Sequence, residues 1–103
     1  MEQNAPRQVP YDVDIEQALL GAILVDNYSL ERVSSTLKSE HFYDPLHQRL
    51  YEAIERMWAK GHVVTALTLK VTMEQDPGLA EVGGQAYLVS LSRAARSTTL
   101  RCS

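Results

Sequence analysis

Three imidazoles, those of His41, His47 and His62, are the side chains in this 103-residue chain best suited to move protons or hold a metal. Histidine titrates near neutrality and is a common zinc ligand. Their spacing matches no zinc signature, and the single thiol, Cys102, sits beside the C-terminal end. A metal site would therefore need the fold to gather them, and a disulfide within the chain is impossible. His47 falls at the third position of a helix, which points to packing or hydrogen bonding rather than general-base work. Glu52 and Glu55 form a candidate acid/base pair. They lie three residues apart on a polar helix face, where solvent leaves nothing to tune them. Gly83-Gly84 could cradle a phosphate, yet no strand precedes it and no lysine follows. The chain has no GxxxxGK[ST] loop, so the two glycines read as a turn. No catalytic, cofactor-binding or metal-ligating residue is assigned.

Charge narrows the partners. The net charge is −3, but residues 1–55 hold ten acids against four bases, and residues 56–103 hold three against six. Arg93, Arg96 and Arg101 supply half of those later bases. Non-specific DNA binding draws on many phosphate contacts from a basic surface. A pI near 5.5 without a basic stripe fits that poorly, so the three arginines read as flanking a domain end. No apolar run approaches the roughly 18 residues of a membrane span, and residues 1–10 are too polar for a signal peptide. A cytoplasmic protein is the default expectation.

The elements that must position these residues centre on one helix, His41 to Gly61. Asp44 stands as its N-cap and Pro45 at its first position, where a missing N–H costs nothing. Leu46, Leu50, Ala53, Ile54, Met57 and Trp58 recur at helical steps and form one apolar face. Glu52 and Arg56 make an i,i+4 pair on the other side, and Lys60 with Gly61 stops the helix. Such a helix is marginal alone and needs neighbours.

Upstream, residues 1–10 read as a flexible tail. Tyr11–Val25 reads as a helix capped by Asp14 with Gln17, burying Ile15, Ala18, Leu19, Ala22 and Ile23, with Leu20 and Leu24 widening the face. Gly21 inside it costs about 1 kcal/mol against alanine, which implies close approach by another helix. Tyr28–Leu37 reads as a second helix with Leu30, Val33 and Leu37 inward, and Phe42 and Tyr43 plug the next connector. Residues 63–73 alternate apolar and polar side chains like a strand. A lone strand has nothing to pair with, so a helix capped by Thr65 is the reading taken. Asp76-Pro77-Gly78 is a turn, residues 79–82 a single helical turn, and 85–93 a last helix with Tyr87, Leu88 and Leu91 inward. Phe42, Trp58 and Tyr87 are expected in the core rather than on a base-stacking platform. The sum is an all-α bundle of five or six short helices around a central helix at about 45–60. Residues 11–93 make the head, and 94–103 a flexible end or the start of a linker.

Four segments in order, DIEQALLGAILVDN (14–27), EHFYDPLHQRLYEAIERMWAKG (40–61), VVTALTLKVTM (63–73) and LAEVGGQAYLVSLS (79–92), together resemble the N-terminal domain of the replicative DnaB-type helicases. Thr65 stands where that family usually has Asp, and both residues cap helices. The family's Pro-Ser joint and helical hairpin are not seen in 94–103. The resemblance implies a parent that is a hexameric, ATP-driven DNA helicase at the replication fork. ATP and Mg would belong to a motor domain that also grips DNA. This head would be a non-catalytic collar that supports ring assembly and meets primase or helicase loader. Two other readings stand beside it: the helicase-binding domain of a primase, against which the Gly-Gly-x-x-Tyr-Leu run weighs, and a small helical DNA-binding module using Arg93, Arg96 and Arg101.

Overall fold

The computed structural model describes the backbone of residues 13–102 and the side chains of residues 13–95. The tail expected over 1–10 lies outside the described residues. Among the described residues six α-helices follow one another: α1 (Val13–Val25), α2 (Tyr28–Val33), α3 (Pro45–Ala59), α4 (Ala66–Thr72), α5 (Pro77–Glu81) and α6 (Gln85–Cys102), with a 3-10 turn at Ser39–His41 before α3. No strand occurs among the described residues, so the all-α reading holds, including the helical choice for 63–73.

The caps explain most of the boundaries. Asp44 accepts from the Leu46 N–H at 2.9 Å with Pro45 in the first turn, and Gly61 closes α3 at a φ of 83°. Thr65 opens α4 through a reciprocal box in which each Thr hydroxyl accepts from the other residue's backbone N–H. Asp76 does more than turn the chain. Its Oδ1 accepts from Gly78 and Leu79 N–H, which makes it the N-cap of α5. α2 stops at Val33, where Ser34, Ser35 and Thr36 favour turns over helix.

The core forms where α3 is gripped by its neighbours. Leu50, Tyr51, Ala53 and Ile54 are buried with Leu20 and Ile23 of α1, Leu69 of α4, Leu79 of α5 and Leu88 and Leu91 of α6. Phe42 seals one end and tilts against Tyr51 at a ring-centroid distance of 5.2 Å. Tyr43 does not join it and stays 57% exposed. Trp58 is half-buried at the edge, its ring edge-on to Tyr28 and its indole N–H donating to Glu31 at 3.0 Å.

Further expectations change. Asp14 lies within the first turn of α1 rather than capping it, and the buried row is Glu16, Leu20, Ile23 and Leu24 with Gly21. Ile15 is 61% exposed. The helix is apolar enough on both sides that the sequence leaves its rotation open, and the partner of Glu16 decides it. The last helix does not stop at Arg93. Its backbone continues to Cys102, because Ala94 and Ala95 favour helix and Ala95 packs beside Gly21.

Candidate functional site

Each of the three long helices contributes one polar group to a single buried cluster. α1 turns Glu16 inward in its first turn, on the row that carries Leu20 and Ile23. α3 places His47 at its third residue, beneath the Asp44 cap. α6 begins after Gly83 and Gly84, whose φ values of 114° and 60° reverse the chain, and brings Tyr87 inward at its own third residue. His47 is fully buried and Glu16 is 6% exposed.

His47 uses both ring nitrogens. Nδ1 lies 2.8 Å from Glu16 Oε1 and Nε2 lies 2.6 Å from the Tyr87 hydroxyl, with the two rings nearly parallel at 12° and their centroids 6.2 Å apart. Glu16 also accepts from the backbone N–H groups of Tyr43 and Asp44, and Gln17 donates to the Tyr87 oxygen at 3.2 Å. One proton arrangement satisfies every member. The carboxylate only accepts, so Nδ1 carries the proton it receives; Nε2 then accepts from the Tyr87 O–H, whose oxygen takes the Gln17 amide. Burial pushes the Tyr87 hydroxyl above the ordinary phenol range, opposed by the Gln17 hydrogen bond and helped by the nearby Asp44 and Glu16 charges. Tyr87 therefore stays a donor at neutral pH.

This chain of bonds has the parts of a proton relay. It is nonetheless spent internally, since each acceptor of Glu16 and each nitrogen of His47 is taken by the protein itself. Two open surface clefts lie elsewhere. One, of about 320 Å³, is lined by Arg49, Glu52, Arg56 and Asp76 among others, and there Arg49 is tied to Asp76 through two bonds of 2.6 and 3.1 Å. The Arg49 bond holds the Asp76 carboxyl below the ordinary aspartate range, and its own caps on Leu79 and Gly78 add to this. The other, a groove of about 340 Å³, runs along Val25, Tyr28, Trp58 and Val63.

The remaining candidates are not brought together. His41 accepts from the Lys38 N–H at 3.0 Å in the 3-10 turn, and His62 is exposed after α3. Among the described residues, no group of three or more His, Cys, Asp or Glu is arranged to hold a metal. Glu52 accepts from Ser39 at 2.9 Å on the surface. Glu55 sits near Tyr51, whose hydroxyl is pushed up to about 12, chiefly by burial and further by that carboxylate. The backbone puts Arg93, Arg96 and Arg101 on one helix, with Arg93 exposed. No described helix is long and apolar enough to cross a membrane.

Two further residues hold the fold together, Glu16 and Asn27. Glu16 shares the i, i+4, i+7, i+8 row with Leu20, Ile23 and Leu24, a signal that a carboxylate among them has a partner inside. Asn27 breaks a helix, and it also pins the α3–α4 loop: its amide N–H donates to Ile23 O and Val64 O, and its oxygen accepts from Val64 N–H.

Comparison with known proteins meets this geometry. The family described as the DnaB-like helicase N terminal domain matches residues 8–101. The replicative DNA helicase DnaB of Rickettsia prowazekii is 43% identical over 88 residues, covering 85% of this chain and 18% of that protein. The Rhodothermus marinus protein of the same name is 35% identical over 92 residues, 89% of this chain and 10% of its own length. The crystal structure of the N-terminal domain of DnaB helicase from Mycobacterium tuberculosis superposes with a TM-score of 0.75 at 30% identity, over 82% of this chain and 59% of that one. This chain thus spans less than a fifth of the helicases it matches. The buried cluster joins the Glu-Gln, His and Gly-Gly-x-x-Tyr-Leu segments on which the sequence resemblance was drawn.

Proposed function

We propose, starting from the fact that this chain belongs to the DnaB-like helicase N-terminal domain family, that it is the non-catalytic collar of a replicative DNA helicase. It supports assembly of the ring and receives primase or the helicase loader at its surface. The parent is a hexameric helicase in the cytoplasm, and ATP, Mg and most of the grip on DNA belong to its motor domain. One observation carries this reading: the buried polar side chains that the fold gathers, Glu16, His47 and Tyr87, are consumed in holding α1, α3 and α6 together. What remains for work is an exterior that includes exposed Val25, Tyr28, Val63, Leu67 and Val71. Docking surfaces are built from such groups.

Contacts made by a single head are weak, and a ring multiplies them. Calorimetric titration of the purified chain with the primase and the loader of the same genome tests the proposal. Saturable binding of either one supports it. A folded chain that binds neither contradicts it.

A further inference from the structure

We draw no further inference here: the strongest candidate, the open groove along Val25, Tyr28, Trp58 and Val63 between the α1–α2 junction and the α3–α4 loop, carries nothing because nothing in the structure shows what covers it.

Discussion

The backbone of Gly21 lies so close to Leu91 that a side-chain carbon on Gly21 would overlap the Leu91 carbonyl oxygen, with the Ala95 methyl only 3.1 Å away. α1 and α6 therefore meet backbone to backbone, and the obstacle is a helical carbonyl that cannot swing aside. Gly21→Ala gains about 1 kcal/mol of helix propensity. Overpacking costs more, typically about 1–3 kcal/mol and above where backbone must move. The variant is expected to melt well below wild type in a calorimetric scan. An unchanged or raised melting temperature would mean that α1 and α6 are further apart.

Asn27 satisfies both backbone polar groups of buried Val64. Asn27→Ala leaves that N–H and C=O unpaired, at about 1 kcal/mol or more for each lost bond. A loss of about 2–3 kcal/mol in urea denaturation is expected. Asn27→Asp keeps the acceptor for the Val64 N–H but sets a carboxylate oxygen against the Ile23 and Val64 carbonyls, so it is not expected to recover the loss.

Ile54 is 1% exposed at the middle of α3. Ile54→Asp puts an unpaired charge in the core, a change that costs more than about 4 kcal/mol. Far-ultraviolet circular dichroism should show an unfolded chain at room temperature. A native spectrum with wild-type melting would place this face of α3 in solvent.

Asp76 carries a folded pKa below its ordinary 3.8 because of Arg49 and two backbone N–H groups. A lowered carboxylate value stabilises the fold above pH 3.8 and loses that contribution as pH falls through the folded value. The Arg49 side chain is 45% exposed, so water screens the pair and the effect is modest. Asp76→Asn keeps a cap but has no charge to lose. Denaturation midpoints taken above and below pH 3.8 should drop less for the variant than for wild type.

α3 was legible from end to end, because Asp44, Pro45, the apolar stripe and Gly61 are local signals that agree. Gly21 announced a close helix contact, though not that Leu91 supplies it. The rotation of α1 was not legible: apolar residues occupy both sides, and the deciding partner, His47, lies 31 residues away. The course of α6 past Arg93 was missed for a similar reason. Ala95 makes no rhythm by itself and gains its place only against Gly21. The position of His47 in the first turn of α3 points to packing or hydrogen bonding, and the structure shows it buried with both ring nitrogens bonded. Its partners became visible only once the fold joined segments 31 and 40 residues away.

The His47 imidazole bridges α1 and α6 through Glu16 and Tyr87, and a double-mutant cycle of His47→Leu and Tyr87→Phe tests most directly whether that bridge holds the helices together. Each single change strands a buried partner and is expected to cost about 1–3 kcal/mol. Once His47 is gone, losing the Tyr87 hydroxyl should cost little more, giving a coupling of about 0.5–3 kcal/mol in chemical denaturation. Strictly additive losses, or singles that leave stability unchanged, would contradict it.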